Sequence, residues 1–326
     1  EAEIARGFDD IIVAFGDTPL VTPETFGRLR AALAAGAAVA VLGFEAADPF
    51  GYGRLVMDGG SLASIVEEKE ASEAQRAITL CNGGLMALAG QTALSILKRI
   101  GNANAKGEFY LTDAVAIARA DGLATAVVLA PEEEVRGVND RVQLAEVEAI
   151  AQRRLRVAAM RGGVTMVAPE TVFLAFDTAL GRDVTLEPHV VFGPGVTIAD
   201  DVTIRAYSHL AGCDVASGAI LGPFARIRPK SRIGEKVHIG NFVEVNRTTI
   251  AARAEANHLA YLGDATIGEG TNIGAGTITC NFDGADKHPT IIGRDVFVGS
   301  NSTLVAPLTI GDEVLIAAGS TITLDV

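Results

Sequence analysis

From Leu180 onward, aliphatic residues return every six positions. Leu180, Leu186, Phe192, Ile198, Ile204 and Leu210 keep the step. It continues through Leu221, Ile227, Ile233, Ile239 and Val245, and again through Ile292, Val298, Leu304, Ile310, Ile316 and Ile322. Gly follows many of them, as in Leu221-Gly222, Ile233-Gly234, Ile239-Gly240, Ile267-Gly268, Ile273-Gly274 and Ile310-Gly311. A repeat of this kind governs the whole architecture of the segment that carries it. Each hexad supplies a short strand and a corner, and three hexads close a triangular coil. The aliphatic side chain then points into a narrow prism that has no room for an indole, and Gly is expected to permit the tight corner. The absence of Trp and the 5% aromatic content of the 326 residues agree with such a core.

Residues 163–326 are therefore read as a left-handed parallel β-helix of hexapeptide repeats, a hand opposite to that of ordinary crossover connections. Residues 1–140 follow a different pattern. Asp9–Phe15 reads as a short buried strand, Pro23–Ala35 as a helix with Pro and Glu in its first turn, and Ala38–Gly43 as another buried strand. Tyr52–Asp58 and Ser61–Glu67 flank Gly59-Gly60 as a hairpin. This alternation predicts an α/β domain of Rossmann-like type with a mostly parallel sheet. Between the two lies a linker helix, 141–162, with Leu144, Val147, Ile150, Leu155 and Ala158 on one side and Gly162-Gly163 as its stop. The chain opens on a strand at Glu1 without Met and ends within the repeat at Val326. The α/β domain is accordingly expected to lack its front part.

Forty acidic against 27 basic residues give a formal net charge of −13. That balance disfavours partners held by phosphate tracking, both nucleic acid and anionic lipid. No apolar run is long enough for a transmembrane helix. The three cysteines, Cys81, Cys213 and Cys280, have no C-x-x-C spacing, which suits reduced thiols in a cytoplasm.

Breaks in a solenoid are where a pocket can form. Thr279–Thr290 carries charges where aliphatics should fall, and the 19 positions from Ile273 to Ile292 predict a segment looping outward. A second slip of phase lies between Val245 and Leu262, around His258. Arg226, Arg228, Lys230, Arg232 and Lys236 cluster within eleven positions, which reads either as a solvated face or, with His258 near in coil stacking, as a phosphate pocket.

The chain closely resembles a bacterial family, the bifunctional N-acetylglucosamine-1-phosphate uridylyltransferase / glucosamine-1-phosphate N-acetyltransferase. The resemblance runs along essentially the whole chain. Its carriers are Gly16-Asp17-Thr18-Pro19-Leu20, Gly51-Tyr52-Gly53-Arg54, Val66-Glu67-Glu68-Lys69 and Gly137-Val138-Asn139-Asp140-Arg141 in the first half. In the second half they are Gly222–Pro229, Gly240-Asn241-Phe242-Val243-Glu244, His258–Asp264 and Asn272–Asn281. It implies an acetyl transfer from acetyl-CoA to glucosamine-1-phosphate, then a uridylyl transfer from UTP to N-acetylglucosamine-1-phosphate with release of pyrophosphate. It also implies a cytoplasmic homotrimer.

For the nucleotidyl site the resemblance implies Asp17 and Asn139 as Mg²⁺ ligands, and Gly53, Glu67 and Asn82 as contacts of the N-acetylglucosamine part. An oxygen donor pair suits that cation. Asp17 before Thr-Pro also fits a plain turn residue, and Asn139 also fits a cap of the following helix. The Gly-rich, Arg- and Lys-bearing loop that the family uses for the triphosphate is not among these residues. The 326-residue chain by itself is therefore expected not to transfer uridylyl groups.

For the acetyl site, a base is needed because an ammonium has no lone pair, and imidazole is the natural group. The resemblance makes His258 that base, with Glu244 orienting it and Asn281 at the thioester or its oxyanion. It implies Arg228, Asn246, Tyr261 and Asn272 as sugar-phosphate contacts. Ala275, Asn281, Phe282, Ser300 and Ala318 are the implied acetyl-CoA contacts. His189, His209, His238 and His288 read as surface or corner residues. Two departures stand out: the family usually has Lys where Asn246 stands and Tyr where Phe282 stands. Three rival readings remain at this stage. They are a single-activity sugar-1-phosphate nucleotidyltransferase with a structural β-helix, a γ-class carbonic anhydrase, which needs closely spaced histidines, and a purely structural trimer module.

Overall fold

The computed structural model describes residues 6–102 and 107–326. The chain forms two compact units, Glu1–Ile150 and Ala151–Val326, and the division falls inside one helix, Arg141–Arg161.

The first unit, among its described residues, is built on a sheet of β1 (Asp10–Val13), β2 (Val39–Glu45), β3 (Arg54–Asp58), β4 (Ser61–Val66), β5 (Leu80–Ala89) and β6 (Thr125–Leu129). The order is β4-β3-β5-β2-β6, with β1 also paired to β5. The helices are α1 (Pro23–Ala34), α2 (Glu73–Arg76), α3 (Gly90–Leu97), α4 (Asp113–Ala120) and α5 (Arg141–Arg161). The expected mostly parallel sheet is corrected here: only the β2–β6 pair is parallel, and β1, β2 and β3 all meet β5 antiparallel. A buried aliphatic run has the same pattern in either direction, so the connections decide. Gly59 and Gly60 at φ 56° and 83° reverse β3 directly into β4, a two-residue turn with both centres left-handed. Strand β1 is half-buried rather than buried, while Val39–Phe44 of β2 lies fully inside.

Along α5 the apolar stripe differs slightly from expectation. Val147 and Ile150 are buried and Leu155 packs on the core, but Leu144 and Ala158 are exposed, and Ala159 packs on the core in place of Ala158. The helix ends with the Val164 amide on the Ala159 carbonyl and Gly163 at φ 107°, a left-handed stop.

The second unit is the left-handed parallel β-helix. Three parallel sheets run along it. The first face starts at Ala179–Leu180, the second at Thr165–Met166 and the third at Val191–Phe192. Every in-step aliphatic of the repeat enters one continuous core cluster or packs against it, from Leu180 to Ile322. Burying such a column removes the apolar area of each Ile or Leu from water, about 1.5–3 kcal/mol per side chain before the cost of ordering the chain.

Coils are 18 residues, or 17 where a corner is shortened: Ile198 pairs with Val215, and Val245 with Leu262. This shortening is the slip between Val245 and Leu262. The outward loop is larger than the step from Ile273 suggested. Ile273 pairs with Val298 and Ile267 with Ile292, so one coil is 25 residues long. Ile273 and Ile292 lie on different faces, which is why their spacing understated the excursion.

The role expected for the repeat glycines holds at Gly222, with φ 94°, but changes at Gly240. At the corner between the second and third faces, the left-handed backbone falls on Tyr207, Phe224, Phe242 and Leu259, at φ 60°, 57°, 58° and 51°. Gly240 precedes that position, and a Cβ there would run into the Asn257 carbonyl of the next coil. Close stacking of coils, not the corner dihedral, demands glycine at that point. The left-handed residues form a ladder instead, with His189, Tyr207, Phe224 and Phe242 stacked at centroid spacings of 4.8, 5.0 and 5.1 Å.

Candidate functional site

The expected acetyl-site residues other than Asn272 gather on the third face of the β-helix and its two edges. Strands Arg226–Ile227, Glu244–Asn246 and Tyr261–Gly263 lie side by side there, with Arg226 opposite Glu244 and Glu244 opposite Tyr261. Arg228 Nη1 donates to Glu244 Oε1 at 2.8 Å. Tyr261 and Asn281 converge over bare Gly263: a Cβ there would lie 2.5 Å from the Tyr261 hydroxyl and 2.7 Å from the Asn281 amide nitrogen. Asn246 is buried beside them, its Nδ2 3.5 Å from the Tyr261 hydroxyl.

His258 sits at the other edge, at the corner from the second face. Its ring is exposed, and Nδ1 lies 2.8 Å from Asn241 Oδ1, one coil below. An amide oxygen can only accept, so this contact places the proton on Nδ1 and leaves the Nε2 lone pair outward. The expected orienting group, Glu244, is instead engaged by Arg228, and Asn241 takes the place beside the imidazole.

Asn241, His258, Ala275, Ser300 and Ala318 occupy one position in successive coils. The amide after each bonds the carbonyl of the residue before it in the column: Leu259 to Asn241, Gly276 to His258, Asn301 to Ala275 and Gly319 to Ser300. Ser300 and Ala318 are exposed and Ala275 is half-buried. The aromatic ladder runs beside the lower part of this column, and Gly276, Asn301 and Gly319 continue it without rings. Asn272 stands apart from the other sugar-phosphate residues, on the second face opposite Glu255 and Phe297.

The loop between Asn281 and Pro289 projects outward with Phe282 57% exposed. Asp283 closes it on itself. Its Oδ1 accepts the amides of Ala285 and Asp286, and its Oδ2 meets His288 Nε2 at 2.7 Å, which holds that carboxyl well below the usual range. The basic run is dispersed by the winding of the coil. Arg226 and Arg228 lie on the third face, whereas Arg232 lies on the first, near Asp214. Of the five, Arg228 makes a side-chain hydrogen bond to one of the expected site residues, Glu244. His209 is exposed on the third face, and His238 is half-buried on the second, pushed down by burial and by Arg205. Among the described residues no group of three His, Cys, Asp or Glu is placed to hold a metal.

In the first unit, Gly53, Glu67 and Asn82 come together. The Asn82 amide donates to the Gly53 carbonyl at 2.8 Å, and a Cβ on Gly53 would lie 3.5 Å from both Glu67 carboxylate oxygens. Buried Arg54 fixes the neighbouring segment through Glu68 at 2.6 Å. Asp17 is exposed and joined to the segment of Asn139 by the Val138 amide on its carbonyl, 2.8 Å. Asn139 is not the helix cap. Asp140 Oδ1 takes that role, accepting the Val142 and Gln143 amides at 2.8 Å. The Asn139 side chain is thereby left for another use, and two oxygen donors with open surroundings fit a magnesium ion that keeps water and phosphate in its shell. A cavity of about 450 Å³ lined by Phe8, Asp9, Leu33 and Gly90 contains none of these residues.

A family model described as the hexapeptide repeat of succinyl-transferase matches residues 289–323. The bifunctional protein GlmU of Xanthobacter autotrophicus is 62% identical over 325 residues, covering 100% of this chain and 72% of its own. Proteins of the same name from Bradyrhizobium sp. and Agrobacterium fabrum are 59% and 54% identical over 323 residues. They cover 99% of this chain and 72% and 71% of their own. The chain belongs to the GlmU family.

Membership of the GlmU family makes the chain a transferase and agrees with the two fold types. Three residues beside the expected acetyl-site residues were given no role by sequence reasoning: Asn241, Arg247 and Asp264. The signal was present in the local 17-residue step. That step carries Asn241 to His258, and Arg247 to Asp264 and then to Asn281. Arg247 binds Asp264 through Nε and Nη2 at 2.5 and 2.6 Å and reaches Asn246 Oδ1 at 3.3 Å. A guanidinium therefore lies one position beyond the Lys-to-Asn departure at Asn246. Cys81, Cys213 and Cys280 are all free thiols, and among the described residues no helix is long and apolar enough to cross a membrane.

Proposed function

We propose that the β-helix unit transfers acetyl from acetyl-CoA to the amine of glucosamine-1-phosphate. The observation carrying this reading is the Asn241–His258 pair at the foot of the column Ala275, Ser300 and Ala318, whose last two residues are exposed and leave room for an extended thioester. His258 Nε2 takes a proton from the attacking nitrogen as the N–C bond to the acetyl carbonyl forms. The C–S bond then breaks, and the thiolate of coenzyme A leaves and is protonated. Asn281 donates to the carbonyl oxygen as charge builds there, and Arg228 with Tyr261 and Asn246 hold the sugar phosphate. A cytoplasmic homotrimer is part of the same reading.

The first unit carries the N-acetylglucosamine-binding part of a uridylyl-transfer site that takes UTP and N-acetylglucosamine-1-phosphate. Gly53, Glu67 and Asn82 contact the sugar, and Asp17 and Asn139 are the residues that would hold Mg²⁺. That ion supplies positive charge to phosphate oxygens when bound. The 326 residues contain no Gly-rich segment for a triphosphate, so this chain by itself is expected to form no UDP-sugar.

The test is acetyl transfer by the 326-residue chain and by His258→Ala. A fall in kcat of about 10²–10⁴-fold supports the reading. Equal rates in the two proteins would remove His258 from the mechanism.

A further inference from the structure

We propose that Asp264 is a positioning residue of the acyl-transfer site, fastening the projecting loop at both ends and fixing the Asn281 amide over Gly263. This rests on the acetyl-transfer reading given above. At the loop's entry, Asn281 Nδ2 donates to Asp264 Oδ2. At its exit, the Thr290 amide donates to the Asp264 carbonyl at 3.1 Å. The His288 amide closes the base of the loop on the Asn281 carbonyl at 2.8 Å.

Asp264 is itself held from below. Arg247 grips both carboxylate oxygens, a two-pronged geometry that resists rotation of the carboxylate. That guanidinium, with Asn281 and Lys287 adding to it, keeps Asp264 below the ordinary carboxylate range and so ionised. Arg247 and Asp264 both take the left-handed conformation at the same corner of successive coils, at φ 51° and 49°. That conformation belongs to the corner, since Lys230 one coil earlier has it too at φ 65°, and it brings the two side chains side by side. An ionised acceptor leaves the Asn281 amide only one orientation, nitrogen toward Asp264 and toward the space over Gly263 that Tyr261 also faces. An amide aimed in advance stabilises developing charge without reorganising when the reaction occurs.

The chain contains no Trp, so Ala285→Trp at the exposed loop tip provides a single Trp, excited selectively over the four Tyr, in the full 326-residue protein. In that background Asp264→Ala is expected to raise the acrylamide quenching constant about twofold. It should lower kcat by about tenfold or more while KM for glucosamine-1-phosphate stays within about threefold, since a small misplacement of a catalytic group is costly. Arg247→Ala, which leaves the carboxylate in place but unclamped, should give a smaller change of the same sign in both. Unchanged quenching and unchanged kcat in Asp264→Ala would overturn the proposal. Raised quenching in a protein whose Ala285→Trp parent lacks acetyl transfer would support the anchoring and instead defeat the proposed function.

Discussion

Asn241 lies one coil below His258 at the same corner position, and its amide oxygen holds the imidazole Nδ1 at 2.8 Å. The two residues belong to paired strands, so the hydrogen bond follows from the stacking of coils and not from a local turn. Replacing Asn241 with Ala frees the ring to rotate and to exchange tautomers. The expected result is a loss in kcat of about tenfold with KM for acetyl-CoA nearly unchanged, because the lost group orients a base and binds no substrate. Steady-state kinetics in both substrates decide this, and an unchanged kcat would show that Asn241 does not orient the base.

Arg228 and Glu244 present a different case. Their ion pair is 2.8 Å long, but the side chains are 40% and 31% exposed. Pairs so open to water contribute little to folding, about 0–1 kcal/mol. The same guanidinium facing a phosphate makes charge-assisted hydrogen bonds, each about 1.5–3 kcal/mol. Arg228→Ala should therefore leave the denaturation midpoint almost unmoved and raise KM for glucosamine-1-phosphate by about 10–100-fold. A large drop in stability with little change in KM would assign the pair to the scaffold.

The prism was readable because Leu186, Ile204 and Ile239 each answer to one rule: an inward residue every six positions. Nothing local competes with that rule, and all three are fully buried. The sheet of the first unit was read less well. The sequence of Val39–Phe44 records burial but not strand direction, which depends on where β5 is brought in by its connections. For the site, His258 was recognisable from its motif, whereas its partner Asn241 and the hub Asp264 needed the coil register. A 17-residue step and an 18-residue step put different residues together, and only the paired strands tell which applies where. The dispersal of Arg226 and Arg232 onto separate faces has another cause: they lie six positions apart, and each hexad carries the chain round one corner.

Cys213 lies in the prism, 2% exposed, and burial, with the Asp214 charge adding to it, pushes its thiol from 9.0 up to about 12. The folded state thus keeps the proton to higher pH than the unfolded chain, whose thiol ionises near about 8.5. Above that pH the unfolded state binds fewer protons, so stability falls as pH rises from about 8.5 toward 12, and below it the thiol adds no pH dependence. Cys213→Ala should flatten that alkaline decline, at the cost of a small cavity at all pH values. Denaturant midpoints at pH 7.0 and 10.0 for both proteins measure it, and equal alkaline losses would refute the assignment.

Two glycines should respond to alanine in opposite directions. Gly27 lies within α1 with open space where a Cβ would go, so Gly27→Ala gains helix propensity and reduces the freedom of the unfolded chain. A stabilisation of about 0.4–1 kcal/mol is expected, with no effect on either site. At Gly240 the added Cβ would press on the Asn257 carbonyl, a backbone atom that cannot swing away. Relief requires the two coils to part at the corner that carries Asn241 and His258. Overpacking of this kind costs about 1–3 kcal/mol, and here it also lengthens the 2.8 Å contact that holds the imidazole. Gly240→Ala should therefore lose stability and kcat together, whereas Gly27→Ala raises the first alone. If Gly240→Ala kept full kcat, the coil spacing at that corner would have no bearing on the base.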